Sequence, residues 1–121
     1  MTRRVFDAFR QRNGAVVAAA LARDSVWRVG GTSSLAGEYR GRREVTGFLG
    51  RTTHDSDDYS SELRWVLADD QRAVALYRAR GRRRGRTIDI DQLLVIRCVD
   101  GRWADVTALP LDQAAFDAFW A

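Results

Sequence analysis

Tyr77, Asp89 and Asp91, with Glu62 and Arg64 upstream, are the residues whose types and spacing come nearest to a reaction centre in this sequence. A phenol set between carboxylates has a shifted proton affinity when partly buried. Such groups act as general acid or base toward a carbonyl, an enol or an epoxide. All five lie between Ser60 and Leu109, which reads as four consecutive antiparallel strands. Their turns are Asp69-Asp70, Gly81-Arg82-Arg83-Arg84-Gly85 and Asp100-Gly101, each between runs rich in Val, Ile, Leu, Trp and Tyr.

Hairpin geometry turns these punctuation marks into an expected register. A two-residue turn at Asp100-Gly101 pairs Val99 with Arg102, Val95 with Val106 and Leu93 with Ala108. One at Asp69-Asp70 pairs Ala68 with Gln71 and Arg64 with Ala75. Treating Gly81 to Gly85 as a five-residue loop pairs Arg80 with Arg86, Tyr77 with Asp89 and Ala75 with Asp91. One row then runs Arg64, Ala75, Asp91, spanning roughly 10 Å at about 4.8 Å per strand. The other runs Glu62, Tyr77, Asp89. On this layout Asp91 is the proton acceptor or donor, Arg64 orients it, and Tyr77 donates a hydrogen bond to a substrate oxygen. Asp89 joins the ligand contacts.

Side chains alternate across a sheet, so the opposite face carries Leu63, Trp65, Leu67, Val74, Leu76, Ile88, Ile90, Leu94, Ile96 and Trp103. Burial alone favours helices on that face, with the charges turned to water as cross-strand pairs worth about 0.2–1 kcal/mol each.

Other elements must position the sheet. Val5, Phe6 and Phe9 recur at helical spacing over Thr2 to Arg12, with Asn13-Gly14 as a stop, and the small-residue run Ala15 to Ala22 predicts a second helix. Val26 to Val29 reads as a short strand carrying Trp27. Gly30 to Gly41 reads as one long loop. Val45, Phe48, Leu49 and Thr52 predict a third helix from Arg42 to about His54, and Asp112 caps a last short one holding Phe116, Phe119 and Trp120. Trp27, Tyr39, Phe48 and Trp120 line a cavity mouth or pack the core. His54, the single histidine, belongs to a helix end.

At 121 residues the chain is expected to form one domain over 1–121. One cysteine, Cys98, excludes an internal disulfide. No run of about 18 apolar residues and no secretory leader pattern is present, so a cytoplasmic location is expected. All 20 basic residues are Arg and the net charge is +4. Arg78 to Arg86 gather at one turn, but without interleaved aromatic residues nucleic acid is not the expected partner. No metal-ligand spacing, phosphate loop or Ser/His/Asp set occurs, and no cofactor is expected.

Trp27-Arg28-Val29-Gly30-Gly31, Leu35-Ala36-Gly37-Glu38-Tyr39-Arg40-Gly41-Arg42 and the segment Asp112 to Trp120 resemble the SnoaL-like branch of the nuclear transport factor 2-like (NTF2-like) superfamily. That superfamily also contains polyketide cyclases, ketosteroid isomerases and limonene epoxide hydrolases. The resemblance implies an α+β fold, a cone-shaped barrel whose N-terminal helices pack on a curved, mainly antiparallel sheet, with a short C-terminal helix. It also implies a hydrophobic pocket with Val106 and Ala108 facing inward, which leaves the apolar face for a homodimer contact.

Carried over residue by residue, the catalytic aspartate of ketosteroid isomerases falls near Val29, their oxyanion-hole tyrosine near Phe6 and their second acid near Leu93. The last-strand acid of the cyclases and epoxide hydrolases falls near Ala108. None of these can do that chemistry, which leaves Asp89 and Asp91 with Arg64 and Tyr77 as substitutes. The expected function is binding of a small hydrophobic molecule, with cofactor-independent isomerisation, cyclisation or hydration of a carbonyl- or epoxide-bearing metabolite as its catalytic form. A non-catalytic dimeric binding or assembly module is the alternative.

Overall fold

The computed structural model describes residues 2–121. In chain order its elements are α1 (Thr2–Arg10), α2 (Gly14–Ala20), β1 (Leu21–Val29), β2 (Gly37–Arg40), α3 (Arg42–His54), β3 (Asp57–Ala68), β4 (Arg72–Arg83), β5 (Arg86–Val99), β6 (Arg102–Pro110) and α4 (Gln113–Phe119). The six strands form one mixed sheet in the order β2-β1-β6-β5-β4-β3. Only β1 against β6 is parallel, and the sheet curls without closing. The helices cover its concave face, giving the α+β cone.

Local chemistry sets most of the boundaries. Asn13 does not simply stop α1: its side chain accepts from Val16 N at 3.3 Å and caps α2. The second helix then ends earlier than its small-residue run suggests, because Leu21 already pairs with Trp103 of β6. A third of the expected long loop, Gly37–Arg40, is strand. Tyr39 sits opposite Trp27, and Gly37 opposite Val29, as β2 extends the sheet edge. The start of α3 is tied by Glu44, whose carboxylate accepts from Arg40 N at 3.0 Å.

Three features set the face of each long strand. The β4-β5 turn is two residues long, Arg84-Gly85, both at positive φ (50° and 77°), with Arg83 opposite Arg86. Gly81, Arg82 and Arg83, expected in a five-residue loop, therefore belong to β4 and shift its register against β5 by three residues. Tyr77 consequently pairs with Gln92, not Asp89, and Ala75 pairs with Leu94, not Asp91. In β3 a bulge between Leu63 and Trp65 makes Arg64 the extra residue, so Ala75 meets Val66. A second irregularity opposite Arg97-Cys98 turns both Trp103 and Val106 inward.

The concave face is therefore assembled from both expected faces. Ala73, Ala75, Tyr77 and Ala79 of β4 lie inside with Ile88, Ile90, Leu94 and Ile96 of β5 and Trp103, Val106 and Ala108 of β6. Asp89 and Asp91 alternate with the inward isoleucines and point out. Arg84 occupies a left-handed position that favours Asn or Gly. Arg84→Asn is expected to raise stability by about 0.5–1 kcal/mol in urea unfolding, whereas Gly85→Val, at the same turn, lowers it.

Candidate ligand-binding cavity

The helices do not fill the cone. Between them and the sheet lies a space of about 720 Å³, counted out through its opening to solvent. The room left for the centre of a water molecule is about 70 Å³, so the enclosed part is narrow. α1 contributes Val5, Phe6 and Phe9, and α3 contributes Phe48, Leu49 and Thr52. From the sheet come Leu21, Trp27, Val29, Tyr59, Ser61, Tyr77, Gln92, Leu94, Trp103 and Ala108, and from α4 Phe116 with the following Trp120. A second depression between the α1-α2 turn and α3, bordered by Arg12, Asn13, Thr46 and Thr53, shares Phe9, Val17 and Leu49 with this cavity.

The aromatic walls are braced against one another. Phe6 meets Tyr77 at a centroid distance of 5.1 Å, Trp27 meets Phe48 at 5.9 Å, and Tyr59 meets Trp120 edge-on at 5.6 Å. Gly81 makes the last contact possible, since a Cβ there would lie 3.0 Å from Tyr59 Cδ2. Behind the lining, Tyr39 stacks on Phe48 at 4.4 Å and donates to the Leu35 carbonyl at 2.7 Å.

One polar pair marks the floor. The Tyr77 hydroxyl donates to Gln92 Oε1 at 2.5 Å, and both side chains are buried. Burial holds the Tyr77 phenol well above its ordinary pKa, and pushes that of Tyr59 up to about 12. No Asp, Glu, Arg, His or Cys stands among the lining residues. The cavity is therefore electrically neutral throughout the physiological range, and its chemistry is that of hydroxyl, amide and indole groups.

The charged residues expected in the site lie on the convex face instead. Arg78 binds Asp89 at 2.7 Å and Asp91 at 3.2 Å, Arg80 adds a 3.0 Å contact to Asp89, and Arg64 binds Glu62 at 2.9 Å. Arg78 and Arg80 hold the Asp89 carboxyl below its usual range. Arg64 and Asp91 are not brought together. Of the expected ligand contacts, Trp27, Phe48, Ala108 and Trp120 line the cavity. Val106 is buried beside it without lining it, and Tyr39 acts from behind. Gln92 went unnoticed in the sequence; its signal is an uncharged polar residue on the inward phase of Ile88, Ile90, Leu94 and Ile96.

These features match known proteins over the whole chain. The profile of the SnoaL-like domain covers residues 2–106. An uncharacterized protein of Mycobacterium tuberculosis is 32% identical over 123 residues, spanning 100% of this chain and 94% of the relative. Bal32a, from a soil-derived mobile gene cassette, superposes with a TM-score of 0.94 at 25% identity, covering 99% of this chain and 93% of that one. An NTF2-like protein of unknown function from Burkholderia pseudomallei gives 0.87 at 23% identity, with 99% and 94% covered. A Xanthomonas campestris protein provisionally described as a polyketide cyclase gives 0.78 at 22%, with 99% and 93% covered. The chain belongs to the SnoaL-like domain family and has the NTF2-like fold.

Two outcomes follow for the site. Tyr77→Phe leaves the buried Gln92 oxygen without its donor and is expected to cost about 1–3 kcal/mol in urea unfolding. The double variant with Gln92→Leu should cost less than the two single changes together. For pH, an unfolded tyrosine releases its proton near pH 10.0, whereas Tyr59 keeps its proton to about pH 12. Unfolding therefore releases a proton in that window. Stability is expected to fall as pH rises from 10 toward 12, and Tyr59→Phe should flatten the fall in thermal unfolding.

Proposed function

We propose that this chain binds a small, mostly apolar molecule in the concave cavity. The observation that carries this reading is the neutral lining, where Trp27, Phe48, Tyr77, Ala108 and Trp120 face one space with no charged group among them. In its catalytic form the reading is a cofactor-independent isomerase, cyclase or hydratase for a carbonyl- or epoxide-bearing metabolite. Membership of the SnoaL-like family and the fold shared with a provisionally described polyketide cyclase support that direction. Gln92, whose N–H groups stay free because the Tyr77 hydroxyl donates to its oxygen, is the group we assign to the substrate oxygen. Asp91 and Arg64 take no part in this assignment, because their ion pairs lie on the other side of the sheet.

With only tyrosines able to titrate in the lining, binding is expected to be independent of pH between 6 and 9. Isothermal titration with any ligand that co-purifies checks this. A Kd that changes about tenfold across that range would place an ionised group in the site and overturn the assignment.

A second reading is favoured by the convex face. Trp65, Leu67, Val95 and Leu109 are exposed there, and Trp65 and Leu67 pair with half-buried Leu76 and Val74. An apolar patch of this kind on a sheet face calls for a partner. We assign it to a homodimer, in which the chain is an assembly module whether or not the cavity is catalytic. Analytical ultracentrifugation should give a dimer for the natural chain and a folded monomer for Leu67→Glu with Trp65→Glu. A monomeric natural chain would remove the reading.

A further inference from the structure

Nearly the whole lining of the cavity is shut away from water. Of the residues that face it, all but Phe9, Leu49 and Tyr59 are buried. Tyr59 is not an opening, because its ring is wedged between Gly81 and Trp120 and its hydroxyl is buried deeply enough to push its pKa up to about 12. The end of the cone closed by α4 is bolted. There the Trp120 carbonyl accepts from Ser34 N at 3.1 Å and from the Ser34 hydroxyl, while Arg83 donates to the carbonyls of Phe119 and Ala121 at 3.2 and 2.9 Å. What remains is Phe9, on the last turn of α1, and Leu49, in α3.

Those two residues, with Val17 of α2, also border the depression between the α1-α2 turn and α3. The depression and the cavity therefore share one wall, and two of its side chains are already half exposed. Room for the centre of a water molecule is about 140 Å³ on the outer side of that wall and about 70 Å³ on the inner side. Helix α1 packs on α2 and β3 and scarcely touches α3, so the wall stands over a seam and not across a packed interface. Phe9 is also loosely held. Among the described residues, the other aromatic rings of the lining pack on a second ring or, like Phe116, are buried, and Phe9 does neither.

Two glycines face the same depression without serving the fold. Gly14, the first residue of α2, and Gly50, inside α3, both lack a positive φ, and a Cβ at either would meet nothing within 4 Å. Glycine weakens a helix interior. What the two positions supply instead is open space in front of Phe9 and Leu49.

We infer that ligands reach the cavity through the seam between the α1-α2 turn and α3, with the Phe9 side chain swinging aside and Gly14 and Gly50 holding the approach open. This rests on the reading of the cavity as a binding site and adds the route by which that site exchanges with water. Residues that touch a bound ligand mainly change its exit rate. A group that only guards the route changes entry and exit by one factor and leaves Kd as it was.

The test mixes the full chain with N-phenyl-1-naphthylamine, an uncharged fluorophore that brightens on leaving water, and reads both rate constants by stopped flow. Occupancy of the cavity is checked in the 15N-labelled chain, where the indole N–H signals of Trp27, Trp103 and Trp120 should shift and that of exposed Trp65 should not. Gly50→Leu fills the approach and puts a better helix former into α3, so this variant is expected to unfold no earlier on heating than the natural chain. It is expected to slow association and dissociation alike by about tenfold, with Kd unchanged within about twofold. Gly47→Leu is the same change one turn away, in equally open space outside the depression, and should leave both rates as they are.

If Gly50→Leu exchanges as fast as the natural chain, or Gly47→Leu slows exchange equally, the route lies elsewhere and the inference falls while the binding reading stands. If Gly50→Leu raises Kd through the exit rate alone, the depression holds bound ligand and does not admit it, which also overturns the inference. If the fluorophore leaves the three cavity indoles unmoved, the binding reading itself falls and the entrance with it. Gly14→Leu narrows the approach from the α2 side and carries the same expectation, so the test stands even where Gly50→Leu fails to fold.

Discussion

The two-residue turn at Arg84-Gly85 is the constraint on which the rest of this structure depends. It is the point where β4 and β5 are locked in register, and each residue added to or removed from it exchanges the two faces of β5. With Arg83 opposite Arg86, Tyr77 meets Gln92 inside the cone, while Asp89 and Asp91 project outward to Arg78 and Arg80. Moving the register by an odd number of residues would put two carboxylates into an apolar interior without their partners. The cost of burying an unpaired charge makes that arrangement untenable. The ion pairs on the convex face and the neutrality of the cavity are thus two consequences of one turn.

The sheet then divides the chemistry of the molecule. Its convex side holds Glu62, Arg64, Arg78, Arg80, Asp89 and Asp91 at one end and exposed apolar residues at the other. Most of the arginines near the β4-β5 turn are committed to partners. Arg78 and Arg80 serve the carboxylates, Arg82 binds Asp58, and Arg83 is buried against α4. The concave side holds aromatic walls and neutral polar groups, with no carboxylate among the lining residues.

Much of this was legible in the residues. Helix α3, the capped final helix, the strands around Trp27 and from Ser60 onward, and the family to which the chain belongs all follow from periodicity, caps and the segments around Trp27, Leu35 and Asp112. Trp27, Phe48 and Trp120, read as cavity mouth or core, and Ala108, placed inward by the family resemblance, lie along the cavity. What was not legible depended on counting residues at irregularities. Gly81 to Gly85 contains two glycines and admits more than one turn, and nothing local distinguishes a five-residue loop from the tight Arg84-Gly85 turn. The bulge at Arg64 and the shift opposite Arg97-Cys98 are set by which side chains the helices can cover, a tertiary matter. The isoleucines flanking Asp89 and Asp91 did carry the correct phase, as burial alone had indicated. β2 was hidden because four residues rich in charge pair only at a sheet edge.

The most direct test of the account is the register of β4 against β5, measured as cross-strand backbone NOEs in the labelled chain. The account predicts contacts between Tyr77 and Gln92 and between Ala75 and Leu94. Contacts of Tyr77 with Asp89 and of Ala75 with Asp91 would contradict it, return the carboxylates to the interior and reopen acid-base catalysis by Asp91.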